Sequence, residues 1–545
     1  MPLLAGAVCV GGPRWREWRE RLRRPRPHAE TLVCLAVALV YRASALLHPW
    51  GWVNRDGAYG AFVALHLLSG ERPAPVFTEG ANYQGTLKAH LAAALALLTG
   101  DRDFSRLIAA AGLLLTLVFI AATMALARRI GGRGAAWASG LYLAIGPRFP
   151  TVFLLNSVGQ YADVLALGGA ALALLARVLQ EDRSGREARA AYFAIGLLLG
   201  AAFWQQPVAL SYVLAAAGVL ALRRRTGRDP WTLAVAAGLA VGALPVLLWN
   251  LQNGWGSGEI LGREPADMVA QAEALPAAVA RTFTVSFAIL GGLSPGHPWA
   301  SVTVVRALAA AVIPAAFAAF LLLRGREMLR SVRVGSPSAA LVTPLLMLAA
   351  LALFWSVAAG SVHWRPRYLL PVVAATAVHL GVVVAWLARR SRLLAATALA
   401  PLLALNAAGF LPRAREARDA QQQYRELVRA LDEKGIRTGY ADFSISAPVT
   451  MFTGERILLS PRLGPTPAYT SASQEARVAA RGPDAFVLRP RDDVEGFAGV
   501  LRALGVGFRL ETGPVPVFHG LTRRVTIEEV LAAWGRQAAS EGAPE

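Results

Sequence analysis

A chain of 545 residues with 55% hydrophobic content and a mean hydropathy of +0.44 is too apolar for a soluble globular protein and too long for one domain. The formal net charge of +20 would suggest nucleic acid in a soluble protein. Here the arginines fall in short loops between apolar runs of about 20 residues, the pattern of a polytopic membrane protein, and a nucleic-acid partner is excluded.

The first 29 residues are basic. Met1 to Gly12 is apolar but precedes Arg14, Arg16, Arg19 and Arg21, the reverse of a cleavable signal peptide. The first span is therefore expected as an uncleaved anchor with its N-terminus inside. Eleven spans are expected, at 30–48, 104–127, 134–147, 159–179, 190–206, 207–222, 231–251, 300–323, 339–358, 368–388 and 393–411. Alternate loops carry the basic residues, among them Arg128, Arg129 and Arg133, then Arg223 to Arg225, then Arg389, Arg390 and Arg392. By the positive-inside rule those loops are cytoplasmic and everything from 412 lies outside. The two cysteines, Cys9 and Cys34, build neither a disulfide framework nor a metal site.

Two outer segments exceed simple turns. Segment 49–103 holds helix-like runs at 57–70 and 86–99. In the second, Leu87, Leu91, Leu95 and Leu98 share a face with Lys88 and His90 off it, so this run is expected along the interface. Segment 252–299 carries Asn253-Gly-Trp-Gly256 and Ser294-Pro-Gly-His-Pro298. From Pro412 the chain turns polar, with a helix-like stretch at 414–434, β-like runs at 437–441, 456–459, 484–488 and 507–518, and a helix-like run at 492–505. That alternation predicts a small α/β domain over 412–545. No internal repeat is evident.

Ionisable groups at membrane depth are functional candidates by default. Asp56 lies in Trp52-Val-Asn-Arg-Asp56-Gly-Ala-Tyr59, just past the first span. Asp163 lies in Asn156-Ser-Val-Gly-Gln-Tyr-Ala-Asp163, at the outer start of the fourth. Asp56 reads equally as a catalytic base or as the N-cap of the helix at 57–70. Asp163 reads as functional or as a hydrogen-bonding group of the bundle. Arg365 and Arg367 read as phosphate contacts or as snorkelling anchors. Trp50, Trp52, Tyr59 and Tyr83 fit an aromatic belt better than a substrate stack. Asp101-Arg102-Asp103 reads as a loop and cap. The histidines show no metal-ligand spacing, although His48, His297 and His363 share the outer face, and no cofactor is expected.

Asp56 through Tyr59, Val76-Phe77, Asn82-Tyr-Gln-Gly85 and Leu87 resemble the first outer loop of the GT-C membrane glycosyltransferases. The likeness is closest to the bacterial branch of protein O-mannosyltransferases and the aminoarabinose transferase of lipid A. Asp163, Leu244-Pro245 with Trp249-Asn250, Arg365-Pro-Arg-Tyr-Leu-Leu-Pro371 and the tail runs Gly435 to Asp442 and Phe452 to Arg456 extend the resemblance over most of the chain. It implies a mainly α transmembrane bundle over 30–411, an extracytoplasmic α/β domain and a place in the bacterial inner membrane. It further implies inverting transfer of a sugar from a polyprenyl-phosphate donor to an acceptor not named by the sequence. Asp56 would be the general base and Asp163 would position the acceptor or a cation. Arg367, then Arg365, would hold the carrier phosphate, with Tyr59, Tyr83, Gln84, Lys88 and His363 about the substrate. Many relatives carry an acid where this chain has Lys88. That difference points to another acceptor, an added phosphate contact or reduced activity. A transporter or flippase and a non-catalytic protein of the same fold are the alternatives.

Overall fold

Each of the eleven expected spans contains a helix. The computed structural model describes residues 29–540, except 71–73, 79–80, 157, 182–184, 225–231, 259–274, 359–365, 464–471, 490–491 and 514. The first helices are α1 (Ala29–Tyr41) and, in the outer segment, α2 (Arg55–Ser69). A hairpin of β1 (Phe77–Thr78) and β2 (Ala81–Gly85) leads to α3 (Leu87–Thr99). The bundle continues with α4 (Phe104–Gly131), α5 (Arg133–Ala144), α6 (Arg148–Leu155) and α7 (Tyr161–Gln180). Then come α8 (Gly185–Gln205), α9 (Leu210–Arg224), α10 (Thr232–Gly242) and α11 (Leu244–Gln252). The last spans are α12 (Thr303–Arg333), α13 (Val342–Ala358), α14 (Leu370–Arg390) and α15 (Arg392–Glu433).

Six helices among the described residues are long and apolar enough to cross a bilayer, and two bent pairs raise the number to eight. The pairs are α5 with α6, bent by 73°, and the α10–α11 pair, bent by 59°. The three expected spans outside that set are also helical. Residues 29–41 and 207–223 are short for a 30 Å core, and α8 carries Arg186, Glu187 and Arg189 in its first turns. An apolar helix at 275–290 with one π-turn, Thr282–Ser286, has no counterpart among the expected elements. α14 is the innermost span, with 89% of its apolar window buried, whereas α12 and α15, at 22% and 28%, keep most of theirs for lipid.

Buried charge marks one end of the bundle. Glu30, at the start of α1, is 1% exposed and pairs with Arg128 and with Arg133 Nε (3.2 Å). The start of α1 and the 128–133 loop therefore share one end, as the charge pattern requires. Arg42, fully buried nearer the other end, donates to Ala144 O (2.6 Å) and Leu143 O (2.8 Å). These carbonyls are orphaned where α5 breaks before Pro147, and the guanidinium satisfies them.

Glycines set a close helix contact between α8 and α10. A Cβ on Gly196 or Gly200 of α8 would lie 2.0 Å from Val235 O or 2.2 Å from Leu239 O. On α10, one at Gly238 or Gly242 would lie 2.1 Å from Phe193 O or 2.2 Å from Leu197 O. Two small-xxx-small patterns thus bring the backbones together. Rising numbers face rising numbers, so α8 and α10 run parallel, and α9, which follows α8 in the chain, packs on α13 instead.

The tail is a five-stranded mixed sheet in the order β4-β3-β5-β7-β6, from β3 (Thr438–Ala441), β4 (Leu458–Ser460), β5 (Ala485–Val487), β6 (Arg509–Thr512) and β7 (Pro516–His519). β4, β3 and β5 are parallel, while β7 pairs antiparallel with β5 and β6. The helices around it are α16 (Phe443–Phe452), α17 (Ala472–Arg481), α18 (Val494–Ala503) and α19 (Ile527–Ser540). The stretch expected as a separate helix at 414–434 is the far half of α15, which runs unbroken through Pro412 for 42 residues.

The tail sits on the first outer segment. Trp50 stacks on Phe452 with centroids 4.3 Å apart, and Tyr59 meets Phe443 at 5.8 Å. Arg413 donates to Gly51 O (2.9 Å) and lies over the Trp52 ring. Gly51 is so close to α15 that a Cβ there would meet Ala417 O at 1.7 Å. Trp52 and Tyr59 are buried in this junction, so they pack protein on protein and form no belt toward lipid. His66 and Arg477 both reach the Glu455 carboxylate, at 3.0 and 2.6 Å. Burial would raise that carboxyl, but these hydrogen bonds and the charge of Arg477 hold it down at about 2.

Gly200→Ala drives a methyl into the Leu239 carbonyl and is expected to cost about 1–3 kcal/mol. Gly325→Ala in α12 meets open space and is expected to gain up to about 1 kcal/mol in helix propensity. Thermal unfolding of the two variants in detergent checks the contrast; equal melting would remove the glycine contact from the account.

Candidate functional site

At the end of the bundle away from Glu30, four segments converge. The first is the start of α2. Asn54 caps it, its side chain accepting from Gly57 N (2.9 Å). This corrects the cap reading of Asp56, which occupies the second position of the helix, where the dipole favours a carboxylate. The Asp56 side chain lies outside the described residues.

The second segment is the hairpin and the start of α3. Its clamp is Trp204-Gln205-Gln206. Trp204 Nε1 donates to Val76 O (2.9 Å), and Gln205 Oε1 accepts from Leu87 N (3.1 Å), an orphan donor of α3. Pro207 ends α8 by forcing the residue before it out of helical space, and Gln206 is extended at φ −169°, ψ 144°. Lys88, Ala89, Ala92, Ala93 and Ala96 form the buried face of α3, while Leu97 and Leu98 are exposed. The alanines let the helix approach closely, and the lysine enters the protein with them.

The third segment is the start of α7, entered through Gly159 and Gln160, both with positive φ (65° and 52°). Lys88 Nζ stands 3.4 Å from Asp163 Oδ2, with the side chains 1% and 0% exposed. Each member needs the other. A lysine in the first turn of a helix opposes the dipole, whereas Asp163 in the first turn of α7 is favoured by it. Removing one partner from such a pair leaves an isolated buried charge, worth about 3–5 kcal/mol.

The fourth is the 3₁₀ turn Pro366–Leu369 before α14. Arg367 lies over the Tyr368 ring at 5.3 Å and donates a long hydrogen bond to the Tyr368 hydroxyl (3.5 Å), with the neutral Tyr161 and Tyr83 phenols nearby. Tyr161 stands on α7 two residues before Asp163.

The structure thus groups Lys88 with Asp163, and Arg367 with Tyr83, Tyr161 and Tyr368. Gln84 is buried on the same hairpin. Tyr59 instead packs between Phe62 and Phe443. Arg365 and His363 lie outside the described residues. Asp103 caps α4, accepting from Ser105 N and Arg106 N, as its sequence setting suggests. His297 contacts Leu405 O and Trp299 N. Sequence reasoning missed Gln160, Tyr161, Gln205 and Gln206 as site residues, although a Gln-Gln-Pro break within apolar sequence was a usable signal. A separate cleft of about 510 Å³ between the outer segment and the tail is lined by Trp50, Leu65, Leu68, Phe104 and Phe452.

No protein-family model and no curated sequence matches the chain. Among solved structures, ArnT from Cupriavidus metallidurans bound to undecaprenyl phosphate aligns over 89% of this chain and 97% of its own, at 13% identity and a TM-score of 0.54. The apo form of the same protein aligns over 88% and 97%, at 14% identity and a TM-score of 0.50. An oligosaccharyltransferase from Archaeoglobus fulgidus, in complex with zinc and sulfate, covers 88% of this chain and 71% of its own, at 13% identity and a TM-score of 0.48. At these identities the ArnT likeness shows the fold, and it is the membrane fold that the sequence resemblance implied.

Lys88→Met and Asp163→Leu are each expected to destabilise by about 3–5 kcal/mol, and the double variant to recover most of that loss. A double-mutant cycle on thermal unfolding measures the coupling; additive losses would show that the two charges do not depend on each other.

Proposed function

We propose that this chain is a membrane glycosyltransferase that moves a sugar from a polyprenyl-phosphate carrier to an acceptor hydroxyl on the outer face of the membrane. The observation that carries the reading is the convergence of Lys88–Asp163 and Arg367 with its tyrosines at one end of a bundle. The bundle has the fold of ArnT, a protein whose crystal structure holds undecaprenyl phosphate. Ion-pair placement at the opposite end, around Glu30, supports an inward N-terminus and an outward site. In this reading residues 1–29 are cytoplasmic, 30–411 form the catalytic membrane domain, and 412–545 lie outside a bacterial inner membrane.

The reaction needs a base, an electrophilic sugar carbon and a stabilised leaving group. Asp56 takes the proton of the acceptor hydroxyl as its oxygen bonds to the anomeric carbon. The bond from that carbon to the carrier phosphate breaks, and its electron pair stays on the phosphate oxygen. Attack opposite the leaving group inverts the anomeric centre. Arg367 meets the growing phosphate charge with a bidentate guanidinium, and Arg365 is the second candidate. Lys88, locked by Asp163, fixes the start of α3 against α7, so the hairpin keeps its place during the step.

Asp56→Asn keeps the helical position and removes the base. Release of undecaprenyl phosphate from sugar-loaded carrier, by purified protein supplied with an envelope extract, should fall about 10²–10⁴-fold in this variant. Carrier binding should persist. Release at the wild-type rate would remove Asp56 from the chemistry, and carrier export without sugar transfer would favour a flippase.

A further inference from the structure

The buried polar atoms around the ion pair are not all paired. Gln160, Gln205 and Gln206 are 3%, 0% and 4% exposed, and each leaves a buried amide atom without a hydrogen-bond partner: Oε1 of Gln160, Nε2 of Gln205 and Oε1 of Gln206. The Tyr161 hydroxyl lies against the Gln206 side chain. A buried amide left unpaired costs about 1–3 kcal/mol, so three such groups near one ion pair call for a ligand.

Their placement is specific. Gln205 sits against the backbone of Gly85, where a Cβ would meet its amide nitrogen at 2.7 Å, and its oxygen holds Leu87 N, next to Lys88. Gln206 sits against Gly159 in the same manner, at 3.2 Å, and Gln160 follows directly, three residues before Asp163. The amides thus bracket Lys88–Asp163 from the hairpin side and from the α7 side. Gly85 and Gly159, lacking a Cβ, let the two amides come directly against the backbone there.

Amides offer a donor and an acceptor without net charge, matching hydroxyl groups. A charged ligand group here would need a buried counter-charge of its own. Lys88 and Asp163 already neutralise each other. The geometry points to Gln160, Gln205 and Gln206 as a subsite for the hydroxyl groups of an uncharged sugar. The donor is then a neutral hexose or pentose on its lipid carrier, not an amino sugar or a uronic acid. This inference rests on the transferase reading above and adds the class of sugar and the residues that select it.

The test is equilibrium binding to full-length protein in nanodiscs, with three probes: undecaprenyl phosphate, the same carrier bearing glucose, and the carrier bearing an amino sugar. Wild type should bind the glucose-bearing carrier at least about 10-fold more tightly than either of the others. Gln206→Met, apolar and of similar length, should abolish that preference while leaving affinity for undecaprenyl phosphate unchanged. Gln160→Met is a second variant with the same expectation, so the test survives if one variant fails to fold. Gln205 is left intact because it caps α3. Wild type without a preference for the glucose-bearing carrier would overturn the inference. So would variants that lose undecaprenyl phosphate in equal measure, since the amides would then serve carrier or fold. Failure of wild type to bind undecaprenyl phosphate at all is a separate result, and it would overturn the transferase reading itself.

Discussion

Two opposite charges, Lys88 and Asp163, lie 3.4 Å apart with almost no exposure, and the organisation of this end of the bundle follows from keeping them there. Neither charge is tolerable alone at that depth, so α3 and α7 must hold a fixed distance. The alanine face of α3 permits the approach, because larger side chains would hold the lysine away. Gln205 fixes the start of α3 by accepting from Leu87 N. Gln205 is itself held at the end of α8, whose position is set by glycine contacts with α10. A chain of contacts thus runs from a helix–helix packing motif in the membrane to the ion pair. It couples fold to site without any element dedicated to the coupling.

The tail enters the same logic from outside. α15 leaves the bundle and continues through Pro412, carrying the sheet domain with it as one rigid rod. Aromatic stacking of Trp50 on Phe452, the Arg413 contact with Gly51 and the Glu455 cluster seat the domain on the segment that bears Asp56. The buried aromatics Trp52 and Tyr59 serve this junction. The first outer loop is therefore held on two sides, by the bundle through Lys88 and by the tail through α2.

Much of this was legible in the sequence. Apolar run length and arginine placement located the helices, and short β-like runs marked the strands of the tail, with 507–518 holding two of them. Asp163, Lys88 and Arg367 each stood out, since an ionisable residue in apolar sequence is conspicuous. Their pairing was not legible, because nothing local links position 88 to position 163. A cap is decided by backbone geometry at one residue, and Asn54 took the role that Asp56 also suited. The unbroken α15 defeated the composition shift at Pro412, since polar and apolar stretches can share one helix when its two halves meet different surroundings. The Gly196/Gly200 and Gly238/Gly242 patterns were in plain view, but which helices they join is a tertiary fact. The glutamines were hidden by the same rule: a polar pair beside a proline reads as a loop until the partners of its amides are seen.

The most direct test is a cryo-electron microscopy structure of the wild-type protein in nanodiscs with undecaprenyl phosphate. The account predicts the phosphate at the end of the bundle opposite Glu30, within hydrogen-bond distance of Arg367 and beside an intact Lys88–Asp163 pair. Carrier density at another surface of the bundle, with the Arg367 end empty, would contradict it.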